Sequence, residues 1–156
     1  MADTYSRAES VCLHEAETML VVDDDRLVLS FCTSVLKRAG YNVLSAEDGY
    51  TALEMCKAAR SPIHLALLDF QMPKMSGHEL LDCLASCKLA LRFILMSGYA
   101  ENELAHPALR KKWIYSFLRK PFTPSALLEA VKRELDAHTD TARTRAGRES
   151  GNASVA

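Results

Sequence analysis

Met19-Leu20-Val21-Val22-Asp23-Asp24-Asp25 sets a four-residue apolar run directly against three aspartates. A short run that is apolar throughout, rather than alternating, fits a strand covered on both faces. Similar segments recur downstream. Leu65-Ala66-Leu67-Leu68 is stopped by Asp69, Phe93-Ile94-Leu95-Met96 by Ser97-Gly98, and Ser116-Phe117-Leu118 runs into Arg119-Lys120-Pro121. Tyr41 to Ala46 reads as the remaining strand. Helical stripes lie between and after them. Leu27, Phe31, Val35 and Leu36 lead to a C-cap at Gly40, and Ala52, Leu53, Met55 and Cys56 lead to a break at Ser61-Pro62. Leu80, Leu81 and Leu84 follow Ser76-Gly77, a less regular stretch over 101–112 contains Pro107, and Leu127, Leu128, Val131 and Leu135 mark a helix over 125–137. Strand then helix, five times over, predicts a (βα)5 α/β fold: a doubly wound, five-stranded parallel sheet. Such sheets bind ligands beyond the carboxyl ends of their strands, so function is sought in the residues that end each strand.

The composition agrees with one soluble domain. The chain has 156 residues, 49% hydrophobic and 25% charged, and 19 Lys and Arg against 20 Asp and Glu leave a net charge of −1. These values exclude wholesale disorder and a generally basic nucleic-acid coat. No apolar run is long enough to span a membrane, and the N-terminus lacks the layout of a secretory signal, so the expected location is the cytoplasm. Residues 1–17 are weakly apolar and 138–156 almost devoid of large apolar side chains. The expected division is a flexible N-terminal extension over 1–17, one domain over 18–137, and a disordered tail over 138–156. The cysteines, Cys12, Cys32, Cys56, Cys83 and Cys87, are odd in number and scattered, which fits free thiols better than a disulfide framework. Cys83 and Cys87 can share a helix face, but zinc needs two further ligands, and the histidines do not supply them at ligand spacing.

The strand ends carry the chemistry. Asp23, Asp24 and Asp25 follow the first strand, Asp69 the third, Ser97 the fourth and Lys120 the fifth. Each alone reads as an ordinary turn, cap or surface charge, and Asp25 is placed to cap the helix after it. Together, in this fold, they bring carboxylates, a hydroxyl and an amine to one rim. Crowded carboxylates need a cation, and all-oxygen ligation suits a hard ion such as Mg²⁺. A carboxylate beside such an ion can attack phosphorus, while the hydroxyl and the amine hold the phosphoryl oxygens.

Four segments, Val21-Val22-Asp23-Asp24-Asp25, Leu67 to Gly77 with its Asp69-Phe70-Gln71-Met72-Pro73 start, Leu95-Met96-Ser97-Gly98-Tyr99 and Phe117-Leu118-Arg119-Lys120-Pro121-Phe122, together resemble the receiver domain of two-component response regulators. The resemblance spans about residues 18–137 and implies a flavodoxin-like sheet with strand order 2-1-3-4-5. It makes Asp69 the phosphoacceptor, and gives Mg²⁺ to Asp23, Asp24, Asp69 and the backbone carbonyl of Gln71. It makes Ser97 and Lys120 the phosphoryl-binding hydroxyl and amine, Phe117 the switch aromatic, and the Lys120–Pro121 peptide bond cis. Ser97 stands where the family more often has Thr. Gln71 and Tyr99 resemble the positions that tune phosphoryl lifetime.

The implied function is a phosphorelay module rather than an enzyme acting on others. It receives a phosphoryl group from phosphohistidine on a histidine kinase or a histidine phosphotransfer protein, and catalyses only its own phosphorylation and dephosphorylation. The output is a changed face built from the fourth helix, the fifth strand and the fifth helix, about residues 100–137. That face contacts a downstream protein or a second copy of the chain. No DNA-binding domain and no membrane contact are expected, and Arg143, Arg145 and Arg148 read as solvated charge. Such a receiver serves equally in a stand-alone regulator or a hybrid histidine kinase. A small phosphohydrolase with an aspartyl-phosphate intermediate is the competitor of another class, but it needs a second aspartate where Gln71 stands. A pseudo-receiver would lack an aspartate or the lysine, and a flavin-binding flavodoxin would not meet its phosphate with three aspartates.

Overall fold

The apolar run that opens the first strand becomes the middle of a sheet. In the computed structural model, which describes residues 16–87, 91–99 and 116–149, β1 (Thr18–Val22) leads into α1 (Arg26–Arg38) and β2 (Asn42–Ala46) into α2 (Gly49–Ala58). β3 (Leu65–Asp69) precedes α3 (Gly77–Ser86), and β4 (Arg92–Ser97), β5 (Ser116–Arg119) and α4 (Pro124–Glu149) follow. The strands pair in parallel in the order β2-β1-β3-β4-β5, the expected doubly wound sheet. The helix expected over 101–112 lies outside the described residues. α4 runs to Glu149, past the Ala137 at which the sequence reading ends the helix and begins a flexible tail. Residues 138–149 have no apolar stripe to signal a helix, but they contain no proline and include the good helix formers Ala142, Arg143, Arg145, Ala146 and Arg148. Such residues extend a helix already nucleated upstream.

Local chemistry sets the helix ends. Asp25 caps α1, its carboxylate accepting from the backbone N–H of Leu27 at 2.8 Å. At the other end Gly40 sits at φ +96°, just past the cap residue Ala39. The N–H of Gly40 donates to Lys37 O and that of Tyr41 to Leu36 O, which closes the last turn in the manner of a Schellman motif. Ser76 and Glu79 form a reciprocal capping box at the start of α3.

Alternate residues of the central strands feed two separate cores. Met19, Val21, Leu65, Leu67, Ile94 and Met96 pack with α1 and α4 on one face. Leu20, Val22, Ala66, Leu68, Phe93 and Leu95 pack with α2 and α3 on the other. Every residue of β3 is buried, which is why the strand reads as a continuous apolar run. Parallel pairing then brings the carboxyl ends of all five strands to one rim.

Backbone crowding is tightest below that rim. A Cβ on Gly77 would lie 2.1 Å from the carbonyl oxygen of Asp69 and 3.0 Å from the Cα of Phe70. On Gly49 it would meet the Met75 thioether at 2.6 Å, a flexible group that can turn away. Gly77→Ala is therefore expected to cost about 2–3 kcal/mol of stability, whereas Gly49→Ala stays within about 1 kcal/mol, since alanine also favours the helix there. Urea unfolding of the two variants measures both, and equal losses would contradict the assignment of the rigid contact to Gly77.

Candidate functional site

Four strand ends build the site. Asp23 follows β1 directly; it is fully buried, and its N–H donates to Ala46 O at 3.2 Å. Its Oδ1 accepts from the Asp25 N–H at 2.9 Å, so one oxygen is turned back onto the loop. Asp24 is exposed at the mouth. Asp69 is the last residue of β3 and 5% exposed. Oxygens of Asp23, Asp24 and Asp69 lie within 4.8 Å of one another.

Lys120, one residue beyond β5, reaches into this cluster. Its Nζ donates to Asp23 Oδ2 at 2.6 Å and to Asp69 Oδ1 at 2.9 Å. The backbone aims it: the Lys120 N–H donates to Ser97 O at 2.7 Å, and the Lys120–Pro121 peptide bond is cis. Ser97 closes β4, buried, with its hydroxyl accepting from the Tyr99 N–H at 3.1 Å. The sites on β3 and β4 are tied together as well, through the Phe70 N–H to Met96 O at 2.8 Å.

Charge in this pocket is unbalanced. Burial pushes the Asp69 carboxyl up to about 6; the Lys120 hydrogen bond pulls the other way, and Asp23 and Asp24 add to the push. Burial also works against the Lys120 ammonium, but its hydrogen bonds to Asp23 and Asp69 and their charges outweigh that, so the group is held above its ordinary value. Carboxylates this close repel by roughly 3 kcal/mol per pair at an effective dielectric near 20. One ammonium cannot neutralise three of them. The donor set is all oxygen, one member is open to solvent, and the excess charge is negative, so these residues fit a hard divalent cation such as Mg²⁺.

Residues 19–132 match the response regulator receiver domain family. The chain belongs to that family. It is a receiver domain of two-component signalling, as the four sequence segments implied. The sensor kinase CckA of Brucella abortus is 34% identical over 126 residues, which cover 80% of this chain and 13% of the kinase. The sporulation initiation phosphotransferase F of Bacillus subtilis is 29% identical over 76% of this chain and 94% of its own length. A CheY-like receiver from Methanospirillum hungatei superposes with a TM-score of 0.71 at 29% identity, over 81% of this chain and 98% of that one. The chain spans 13% to 29% of the length of several curated relatives.

Within the receiver, Asp23, Asp24, Asp69 and Lys120 converge, and Ser97 stands on the neighbouring strand end. Gln71 lies exposed in the loop between β3 and α3. Phe117 lies in β5, half-buried against the core that α2 and α3 cover and opposite Leu95. An open apolar groove of about 420 Å³ beside Lys120 escaped the sequence reading. Leu27, Val28 and Phe31 of α1 line one side and Pro121 and Phe122 the other. The Phe31 and Phe122 rings are 6.0 Å apart, and Leu27 is 81% exposed. The signal was present, since Leu27 opens the apolar stripe of α1, but the stripe gave no sign that its first member stays uncovered.

The raised Asp69 carboxyl has a pH consequence. An unfolded aspartate titrates near about 3.9, and folded Asp69 at about 6. Its native-state proton therefore stabilises the fold fully below about pH 4, and this contribution is lost as the pH rises through 6. In metal-free buffer Asp69→Asn is expected to gain on the wild type by about 2 kcal/mol between about pH 4.5 and about pH 7.5. Unfolding free energies at the two pH values measure it, and a pH-independent difference would contradict the raised carboxyl.

Proposed function

We propose that this receiver accepts a phosphoryl group from phosphohistidine onto Asp69 and passes the change to a protein partner. The observation that carries the reading is the buried Asp69 carboxylate with Lys120 Nζ 2.9 Å away and two further aspartates around it. An Asp69 oxygen attacks phosphorus, the bond from phosphorus to the donor imidazole nitrogen breaks, and the imidazole leaves with its electron pair and takes up a proton. Asp69 must be ionised to attack, and Lys120 favours that form. Lys120 and the Ser97 hydroxyl hold phosphoryl oxygens as charge builds on them. Asp23, Asp24, Asp69 and the backbone carbonyl of Gln71 hold Mg²⁺, which when bound supplies the positive charge this cluster lacks.

The acyl phosphate takes Asp69 away from Lys120 as an ion-pair partner and offers phosphoryl oxygens instead. Ser97 is drawn toward them, and Phe117 follows into the space released, biasing a two-state equilibrium at β5 and its neighbouring helices. The partners are a histidine kinase or histidine phosphotransfer protein upstream and a downstream protein, with a homodimer through the β5 face as a further output. The apolar groove beside Lys120, with Leu27 at its edge, supports docking of an apolar helical face on the donor. Residues 18–137 act as the receiver unit, catalysing only their own phosphorylation and dephosphorylation, in the cytoplasm. Among the described residues no helix is long and apolar enough to cross a membrane. The phosphohydrolase reading is not favoured, because Gln71 stands where that chemistry needs a second aspartate.

With Mg²⁺ and acetyl phosphate or phosphoramidate, the protein is expected to gain a single phosphoryl group by mass. Asp69→Asn abolishes the gain, and Lys120→Ala still gains it but with a blunted change in Phe117 environment by NMR. An unmodified wild type of intact fold would sink the acceptor assignment. Mg²⁺ at about a hundred times its dissociation constant is expected to add about 2.7 kcal/mol of stability to the wild type. It should add far less to Asp24→Ala, whose exposed side chain contributes little to the metal-free fold. Equal stabilisation of both would remove Asp24 from the ligand set.

A further inference from the structure

The described cysteines fall into two kinds. Cys32 and Cys56 are buried; burial pushes the Cys32 thiol up to about 12 and raises Cys56 as well, which keeps both protonated and inert. Cys83 and Cys87 are exposed. Cys83 lies on α3 and Cys87 four residues on, at its cap, each three residues beyond a buried leucine (Leu80, Leu84), so both border the helix's buried stripe while staying exposed. Residues so spaced have Cβ atoms about 5–6 Å apart in a helix, whereas a disulfide needs about 3.5–4.5 Å. The closing move of about 1.5 Å falls where the helix yields most easily, because Cys87 is the cap residue of α3. Its N–H donates to Leu84 O at 3.2 Å, a bond three residues back that tightens the last turn. Lys57, on the neighbouring α2 and paired with Glu54 at 2.9 Å, interacts electrostatically with both thiols. A metal reading is weaker: among the described residues no third ligand joins these thiols.

We propose that Cys83 and Cys87 form a reversible disulfide at the C-terminal end of α3, made by exchange with a small disulfide such as glutathione disulfide. One cysteine thiolate attacks a glutathione sulfur, forming a mixed disulfide and releasing one glutathione thiolate. The second cysteine thiolate then attacks the protein sulfur of that mixed disulfide, closing the protein bond and releasing the second glutathione. The protein loses two protons and two electrons, and glutathione disulfide is reduced to two thiols. The site is separate from the aspartate cluster and does not depend on the phosphoryl reading.

The full chain is incubated with glutathione disulfide, trapped by alkylation and measured by intact mass and peptide mapping. The expected wild-type product has lost two hydrogens, carries no glutathione, links Cys83 to Cys87 and returns to the thiol form with dithiothreitol. Cys83→Ser and Cys87→Ser are each expected to stop at a single glutathione adduct on the remaining thiol, and both substitutions are at exposed positions that leave the fold intact by circular dichroism. Unmodified thiols, a stable glutathione adduct on the wild type, a cross-linked dimer, or pairing of either residue with Cys12, Cys32 or Cys56 would each overturn the proposal.

Discussion

One ammonium sits between two buried carboxylates, and most of the molecule is arranged to keep it there. Lys120 is separated from Asp23 by 97 positions and from Asp69 by 51, yet Nζ is within hydrogen-bond distance of both. Chain entropy opposes such a meeting, so it has to be imposed by the sheet. β1, β3 and β4 are laid side by side in parallel with Val22 opposite Leu68 and Asp69 opposite Met96. β5 is set against β4 with Ser97 opposite Arg119. The cores on both faces fix those registers, and the registers fix the distances in the pocket.

The same arrangement leaves the pocket unfinished. A buried charge is tolerated when paired, and here pairing stops one cation short. Burial raises the Asp69 carboxyl, with Asp23 and Asp24 adding to the push, and the hydrogen bonds to Asp23 and Asp69 hold the Lys120 ammonium in its charged form. A site that is electrostatically satisfied in isolation has little reason to respond to an added dianion. In the proposed reading, an entering phosphoryl group offers Lys120 new acceptors, among which its donors are redistributed.

Much of this was legible in the residues. Each central strand announced itself as an uninterrupted apolar run because it is buried on both faces, and each run ended at a polar residue that the parallel sheet sets on the common rim. Two caps were legible because they act locally: Asp25 and Gly40 each work within a few residues of themselves. What escaped was set by contacts across the chain or by the absence of a pattern. The groove beside Lys120 needs α1 and the segment after β5 to be placed before it exists. The approach of Gly77 to the Asp69 carbonyl is invisible in a Ser-Gly dipeptide that could open any helix. The continuation of α4 past Ala137 carries no amphipathic stripe to betray it.

The strict alternation of β1, β3 and β4 between two cores has a genetic consequence. Losing or gaining a single codon inside any of these strands would exchange the layers, sending the leucines meant for α2 and α3 toward α1 and α4, and would move Asp23, Asp69 or Ser97 off the rim at the same time. Length variation is therefore confined to the connections, and the three middle strands can drift in side-chain identity but not in frame.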